Sequence, residues 1–338
     1  MALPLACNFL TMHVPWPWLR QTSDGMGELD GCTFRINAGL DSSAWLAVFD
    51  EPPPQTLTRV PRSRRILFIT EPPEVKPYPA SYLRQFGLVI SPFRMHNCPQ
   101  HALLQENSCL NWHYGINTAT PEYRSSFTSL NEIRNMPVPH KTKMLSVICS
   151  TKTYTEAQRK RIAFVEKLAQ RFGDAVDIFG RGRNPIDDKA DAIRDYKYHL
   201  VLENNYADFF WTEKLSDTWL GYAYAIYLGA PNLAQCCPPG ALLALQPDSD
   251  EANLNRIAQL LEKDPWEKSL PAICACRQWI LETTNVFARI ARIMRAADAQ
   301  RLAEPPLTHP VPLRQANRWH RAILRRCIRW HIYNPFGC

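Results

Sequence analysis

One segment of the sequence groups carboxylate, amide and ammonium side chains at a spacing suited to binding an anion. The apolar run His199-Leu-Val-Leu202 leads into Glu203-Asn204, and Thr212-Glu213-Lys214 follows a short loop. Thr212 is a suitable N-cap, which places Lys214 in the first turn of a helix. A lysine there is unfavourable because the helix dipole is positive at that end, and a bound phosphate would offset the cost. A surface lysine extended into solvent is the alternative, and the segment itself does not separate the two.

The elements around this segment alternate between strands and helices. Apolar runs predict strands over 144–148, 175–179, 199–202 and 223–228, and amphipathic periodicity predicts helices over 155–172 and 212–220. This order predicts a doubly wound α/β domain, in which ligands bind at the carboxyl ends of the strands. Glu203-Asn204 lies at such an end.

The first part of the chain has a similar pattern with many prolines. More than half of the 28 prolines precede residue 141, and apolar runs predict strands over 44–49, 66–70 and 88–90 with a short helix near 81–85. This order indicates a second parallel sheet. The polar, proline-containing stretch 135–141 is the predicted linker. We therefore predict domains over 1–140 and 141–300, with helices dominating 251–297, and a basic tail over 301–338.

The net charge of +7 is concentrated in that tail. Six arginines and no acid follow residue 310, namely Arg314, Arg318, Arg321, Arg325, Arg326 and Arg329. The rest of the chain carries nearly equal numbers of basic and acidic side chains, which argues against a protein that binds nucleic acid over its whole surface. A hydrophobic fraction of 46% with 21% charged residues excludes a disordered or coiled-coil protein.

Five of these arginines, all except Arg326, recur at spacings of three and four residues, which places them on one face of a helix. Trp319, Ile323, Cys327 and Trp330 form a neighbouring stripe. We predict an interfacial helix that binds an anionic membrane surface through residues 314–333. Contact with nucleic acid and packing on the body of the protein are the alternatives.

Other features predict a cytoplasmic protein that is peripheral on the inner face of the membrane. No run of about eighteen apolar residues could span a bilayer, and residues 1–20, which three prolines interrupt, are a poor signal peptide. The 11 cysteines include no CxxC pair, which indicates reduced thiols. The cluster His96-Asn-Cys98-Pro-Gln-His101 lacks a second half, so no metal site is predicted.

The segment that opened this section also resembles a known signature. Tyr196-Lys-Tyr198, Glu203-Asn204, Thr212-Glu213-Lys214 and Tyr227-Leu-Gly-Ala-Pro231 occur in order. They resemble the donor-binding signature of glycosyltransferase family 10, the α-1,3/4-fucosyltransferases. The resemblance is specific over 143–233, faint over the first 140 residues and absent in the tail.

This resemblance implies a GT-B architecture, with two Rossmann-like domains facing a central cleft. The N-terminal domain would lie on the acceptor side, and the C-terminal domain would bind the donor. The implied reaction is an inverting transfer of fucose from GDP-fucose to a hydroxyl of a glycan acceptor, such as lipopolysaccharide or another surface glycan. No cofactor and no divalent metal are then expected to be essential, because lysine and arginine supply the charge that stabilises the leaving diphosphate.

The resemblance also assigns donor-binding roles residue by residue. Lys214 matches the lysine that contacts the diphosphate, Glu213 matches the acid that holds the ribose, and Asn204 lies where the family contacts the donor. Arg161 aligns with an arginine that contacts the donor phosphate in the family. The basic residues at 159 and 160 could align with it instead, so the alignment does not decide among the three. Phe210 stands where some members have a donor-contacting tyrosine, and the missing hydroxyl leaves the donor sugar open.

The general base is expected after the strand predicted over 66–70. Glu71 follows that strand, where the family places its glutamate, and Glu74 is the competing candidate. The base would take the proton of the acceptor hydroxyl as that oxygen attacks the anomeric carbon. Both residues could instead be ordinary loop acids.

The remaining candidates have structural alternatives. Glu203, Gly180 and Tyr227 could contact the donor or shape the strand ends, and the ring of Trp112 could stack on an acceptor sugar or lie in the core. Asp248-Ser-Asp250 looks like a metal-binding Asp-x-Asp, but Asp248 and Glu251 are predicted to form a capping box at the start of a helix.

Two other functions stay open from the residues alone. One is the same fold with another nucleotide sugar, which the phenylalanine at 210 would permit. The other is a non-enzymatic protein that binds nucleic acid or a membrane through its basic tail. The oligomeric state is not indicated by the sequence.

Overall fold

The computed structural model describes residues 5–40, 42–153, 156–299 and 304–316. The chain forms two compact units. The first unit contains the chain up to Asn111, the segment Ser129–Arg134 and the described residues from Glu282 onward. The second unit contains Trp112–Thr128 and Asn135–Leu281. The predicted boundaries lie at 140 and 300, whereas within the described residues the chain passes between the units four times, after Asn111, Thr128, Arg134 and Leu281.

The first unit is built on a seven-stranded sheet. Its strands are β1 (Leu5–Thr11), β2 (Glu28–Leu29), β3 (Cys32–Ile36), β4 (Trp45–Phe49), β6 (Arg65–Phe68), β7 (Leu88–Ser91) and β8 (Leu103–Gln105). Their order is β2-β3-β1-β4-β6-β7-β8, and every pair is parallel except β2 with β3. β4 and β6 are buried along their whole length, as strands covered on both faces must be.

The helices of the first unit are α1 (Ala80–Leu83), most of α2 (Leu130–Asn135) and α8 (Val286–Ala299). α8 packs on the sheet through Phe287, whose ring centroid lies 5.2 Å from that of Phe9 and 4.9 Å from that of Phe34. Aromatic contacts of this kind stabilise the core beyond their buried area. A helix that follows the second unit in sequence thus belongs to the first.

The second unit is a five-stranded, fully parallel sheet. Its strands are β9 (Lys143–Ile148), β10 (Val176–Phe179), β11 (Tyr196–Leu202), β12 (Tyr224–Leu228) and β13 (Leu242–Ala244), in the order β10-β9-β11-β12-β13. The helices are α3 (Glu156–Phe172), α4 (Glu213–Leu220), α5 (Leu233–Cys236), α6 (Asp250–Lys263) and α7 (Trp266–Glu282). The predicted α/β class and the two Rossmann-like units expected of a GT-B protein are confirmed.

Short 3₁₀ helices complete the described elements. They span Trp18–Gln21, Arg62–Arg64, Gln100–Ala102, Pro121–Arg124, Gly173–Ala175 and Lys189–Ala192. Within the described ranges, no helix combines the length and apolar character needed to cross a membrane.

The start of the predicted tail helix is not helical. β14 (Val311–Pro312) pairs antiparallel with β5 (Leu57–Thr58). The N–H of Arg314 donates to Gln85 Oε1 at 2.8 Å, and Ala316 is buried. Residues 304–316 therefore pack along the first unit because their backbone groups find partners there. The rest of the predicted helix, including its five other arginines, lies outside the described residues.

The predicted capping box before α6 is wrong. Ser249 is the N-cap of α6 and makes no side-chain capping bond. Asp248 adopts a left-handed backbone conformation with φ of 53°, and its carboxylate accepts from Lys160 Nζ on α3 at 2.9 Å. An ion pair with α3 therefore takes the side chain that the sequence pattern assigned to a local cap.

Candidate functional site

Glu203 closes the loop between β11 and α4. Its N–H donates to the carbonyl of Leu228 at the end of β12, so the residue continues the sheet by one position. Its carboxylate accepts from the N–H of Thr212 at 2.8 Å and from the Thr212 hydroxyl at 2.7 Å. Burial raises the pKa of Glu203, and the two bonds satisfy a carboxylate that has lost its water. Of its two predicted roles, the geometry supports the structural one.

Thr212 begins α4 as predicted, because its side chain accepts from the N–H of Lys214. The Lys214 ammonium lies 3.1 Å from Thr212 Oγ1, 3.2 Å from Glu213 Oε1 and 3.6 Å from Glu203 Oε2. Two carboxylates thus compensate its charge at the helix N-terminus, so a bound phosphate is not needed to explain the lysine. The side chain is 14% exposed, which leaves it within reach of a ligand.

Glu213 lies between two lysines. Lys189 Nζ donates to Glu213 Oε1 at 3.0 Å, and Lys214 contacts the same oxygen. Burial opposes the charged form of Glu213, but the two ammonium groups outweigh it and hold the pKa of that carboxyl well below its usual range. Glu213 is therefore ionised at neutral pH.

Asp217, one turn after Glu213 on α4, holds the segment Trp112–Thr128 against the second sheet. Its Oδ1 accepts from the N–H groups of His113 at 2.8 Å and Tyr114 at 3.0 Å, and its Oδ2 lies 3.5 Å from Lys189 Nζ. Burial raises the pKa of Asp217 to about 6. The start of α4 is thus part of a buried network of carboxylates and lysines.

Asp217 should give the protein a measurable pH dependence of stability. The pKa of Asp217 is about 6 in the folded chain, compared with an ordinary value of 3.8. Between these two pH values the folded chain therefore keeps a proton on Asp217 that the unfolded chain has lost. The contribution of Asp217 to the free energy of unfolding therefore falls as the pH rises from about 4 to about 7, by about 3 kcal/mol. Asp217→Asn keeps an oxygen for the two N–H groups but does not titrate. We expect urea unfolding to show the wild type losing stability relative to this variant over that range, and a constant or growing difference would contradict the assignment.

Arg161 lies at the same sheet edge as Glu203. Its Nη1 donates to the carbonyl of Leu202, the last residue of β11, at 3.5 Å. The residue is buried, and its Nε has no hydrogen-bond partner among the described residues. Arg159 and Lys160 are exposed, so the structure places only Arg161 of the three at the strand ends. It lines a cavity of about 660 Å³ with Leu202, Leu228 and Tyr206, between α3 and the start of α6.

The other predicted donor residues lie around this edge. Asn204 is exposed, and Phe210 is largely buried. Tyr227 is buried, and its hydroxyl accepts from the N–H of Ala230 at 2.9 Å. A side chain at Gly229 would clash with this hydroxyl at 2.3 Å, so Tyr227 shapes the turn after β12.

Gly180 follows β10 with φ of 128°, a conformation that side chains rarely adopt. A Cβ there would lie 2.7 Å from the carbonyl oxygen of Cys149. The glycine therefore allows the turn after β10 to pass against the end of β9, which supports the structural alternative for this residue.

Of the two alternatives for Trp112, the structure supports a place in the core over stacking on an acceptor sugar. The residue is fully buried, with 0% of its surface exposed. A ring without an accessible face cannot stack on a ligand, so Trp112 is a core residue of the second unit.

The candidate base lies in the first unit. Glu71 and Glu74 are both exposed on the loop that follows β6. That loop is held by Lys76, whose Nζ donates to Asp50 at 2.5 Å, and by the Tyr78 hydroxyl, which donates to the same carboxylate. Burial, Asp50 and Glu71 together raise the pKa of Tyr78 well above its usual value. Glu71 is therefore close to an anchored part of its loop.

The sequence analysis missed Lys189 and Asp217. Lys189 precedes β11 in a polar 3₁₀ turn that looks like ordinary surface sequence. One signal was available: Glu213 and Asp217 are four residues apart on a helix, where like charges repel. Two carboxylates on one buried helix face require a cation nearby.

The described cysteines are all free thiols. Within the described ranges, no group of three or more His, Cys, Asp or Glu side chains is arranged to hold a metal ion.

Comparison with known proteins gives a family match over the residues that form this site. Residues 138–267 match the model of "Glycosyltransferase family 10 (fucosyltransferase) C-term". No protein of curated function matches the sequence.

Among solved structures, the chain is similar to a crystal structure of α1,3-fucosyltransferase, with 15% identity and a TM-score of 0.47 over 86% of this chain and 94% of that one. The same enzyme with GDP-fucose gives 15% identity and a TM-score of 0.45 over 83% and 91%. Spinosyn forosaminyltransferase gives 10% identity and a TM-score of 0.44 over 88% and 100%.

The family match includes β9 to β13, the buried Arg161 of α3 that donates to the end of β11, and the ionised glutamate that begins α4. These are the elements and side chains that the resemblance assigned to donor binding. Residues 138–267 therefore form a C-terminal domain of glycosyltransferase family 10, and the chain that carries this domain is a glycosyltransferase.

Proposed function

We propose that the protein transfers fucose from GDP-fucose to a hydroxyl of a glycan acceptor, with inversion at the anomeric carbon. The observation that carries the proposal is the group at the carboxyl end of β11. Ionised Glu213 and accessible Lys214 begin the helix that follows this strand end, and buried Arg161 donates to the carbonyl of Leu202, the last residue of the strand, all within the family 10 domain. Two cations and one fixed carboxylate suit a nucleoside diphosphate, whose phosphates are anionic and whose ribose carries two hydroxyls.

The chemistry needs few groups. The acceptor oxygen bonds to the anomeric carbon as the bond from that carbon to the β-phosphate oxygen breaks, and the electron pair leaves with GDP. Glu71 takes the proton of the acceptor hydroxyl as general base. Lys214 and Arg161 stabilise the negative charge that develops on the leaving diphosphate. Asn204 contributes a donor contact beside them.

Thermal unfolding with GDP, GDP-fucose, UDP and CMP tests the donor assignment. A ligand that binds only the folded state raises the Tm. We expect GDP and GDP-fucose to raise it and UDP and CMP to leave it unchanged. A shift with UDP or CMP alone would instead favour another nucleotide sugar, which Phe210 permits, and no shift with any of them would contradict a transferase of this kind.

The same proposal makes divalent metal dispensable, because lysine and arginine supply the positive charge. Transfer should therefore continue in excess EDTA. Loss of transfer on chelation, with recovery on adding Mg²⁺ or Mn²⁺, would overturn this part of the proposal.

We also propose that the enzyme works in the cytoplasm on the inner face of the membrane, on a lipopolysaccharide or another surface glycan. The arginines after residue 316 and the tryptophans among them support this location. Flotation with anionic vesicles should separate the full chain from a chain ending at Ala316, which keeps the packed residues Val311–Ala316. Equal flotation of the two would remove the tail as the anchor.

A further inference from the structure

Lys189 is a buried lysine that no part of the proposed chemistry uses. Its side chain is 8% exposed, and its ammonium group lies 3.0 Å from Glu213 Oε1 and 3.5 Å from Asp217 Oδ2. A buried ammonium is costly unless carboxylates compensate it, and these two do so. Lys189 is itself fixed by its turn, because Asp188 caps that turn by accepting from the N–H of Ala190 at 2.8 Å.

The two lysine contacts of Glu213 are both made to the same carboxylate oxygen. Among the described residues, both lysines that contact its carboxylate contact Oε1. This arrangement fixes the rotation of the carboxylate and leaves Oε2 as its second acceptor. An ionised carboxylate with one oxygen held accepts hydrogen bonds from a hydroxyl strongly and in one orientation.

The two lysines differ in what they can do. Lys214 is the more exposed and lies where the diphosphate is proposed to bind, so it must turn at least partly from Glu213 when an anion arrives. Lys189 is buried behind Glu213 and has no such competing role. Glu213 therefore keeps a counter-charge while Lys214 engages the ligand.

We propose that Lys189 is the positioning residue for ribose recognition: it holds Oε1 of Glu213 so that Oε2 accepts the hydroxyls of the donor ribose. This inference rests on the proposed function, since it takes a nucleoside diphosphate as the ligand. It predicts that Lys189 affects the recognition of the two ribose hydroxyls and not that of the phosphates.

The test compares binding of GDP and 2′,3′-dideoxy-GDP by calorimetry to the wild type and to Lys189→Met. In the wild type, GDP should bind roughly 10- to 100-fold more tightly, because hydrogen bonds to a charged group are lost in the dideoxy ligand. In Lys189→Met this ratio should fall close to one, while dideoxy-GDP binds about as well as before. A wild-type ratio in the variant would overturn the inference.

Lys189→Met leaves two carboxylates without their lysine and could fail to fold. Lys189→Gln keeps the side-chain length and a hydrogen-bond donor but removes the charge, and its ratio is expected to fall as well. Each ratio is measured on one sample, so a smaller folded fraction does not change it. If Lys189 acts only through Glu213, adding Lys189→Gln to Glu213→Gln should not change the ratio further, and a further change would contradict the inference.

The outcomes also separate the two proposals. If GDP did not bind to the wild type, the proposed function itself would be contradicted. If the ratio of GDP to dideoxy-GDP affinity were large in the wild type and unchanged in the Lys189 variants, only the role of Lys189 would be contradicted.

Discussion

Glu71→Gln is expected to lower kcat for transfer by roughly 10²–10⁴-fold, the usual contribution of a general base. The amide has nearly the shape of the carboxylate but cannot take the proton of the acceptor hydroxyl. Because Glu71 is exposed, the change should leave the free energy of unfolding within about 0.5 kcal/mol of the wild type. The affinity for GDP should not change, because the proposed donor residues lie in the family 10 domain.

Glu74→Gln is the matched control for this measurement. It makes the same chemical change three residues along the same exposed loop. A loss of kcat in Glu74→Gln with normal turnover in Glu71→Gln would transfer the role of base to Glu74. Normal turnover in both would show that neither acid is the base.

Lys214→Ala is expected to lower kcat by roughly 10²–10³-fold, because the leaving diphosphate loses a cation placed to stabilise it. The affinity for GDP should fall as well, since the same charge binds the ground state. Lys214→Arg keeps the positive charge and should recover part of both losses. Steady-state kinetics with GDP-fucose and calorimetry with GDP measure the two effects separately.

Lys143→Ala is the control for Lys214. Its exposed ammonium pairs with Asp177 at 3.0 Å, at the start of β9 and away from the carboxyl ends of the strands, and such a surface pair contributes little to stability. Kinetics of this variant close to those of the wild type would show that loss of a positive charge from the second unit is not enough to slow the reaction. Equal losses in both variants would point to general electrostatics in place of a specific contact.

These predictions depend on features that the sequence indicated to different degrees. The strand before Glu203, the N-cap at Thr212 and the helix that follows were predicted and are confirmed. Such features are local: apolar runs, capping side chains and turn residues act over a few neighbouring positions. The structure nevertheless changed the account of Lys214, whose charge is compensated within the protein.

Trp112 and α8 show what local sequence patterns do not predict. An aromatic residue in a polar segment could have faced a ligand or the core, and only its burial decides between them. Likewise, α8 has a clear apolar face, but the sequence does not state that this face packs on Phe9 and Phe34 of the first sheet. Helix periodicity predicts which face is buried and not what covers it.

The sequence by itself determined the α/β class, the segment that resembles the family signature, and the concentration of positive charge after residue 310. Each depends on residue types at short spacings. Only the tertiary structure decided the electrostatics of the site, because its ion pairs join distant positions. Lys189 and Glu213 are 24 residues apart, and Asp217 binds the N–H of His113 across 104 residues. Burial and these ion pairs together set the charges of the groups, and both result from the packing of the whole unit.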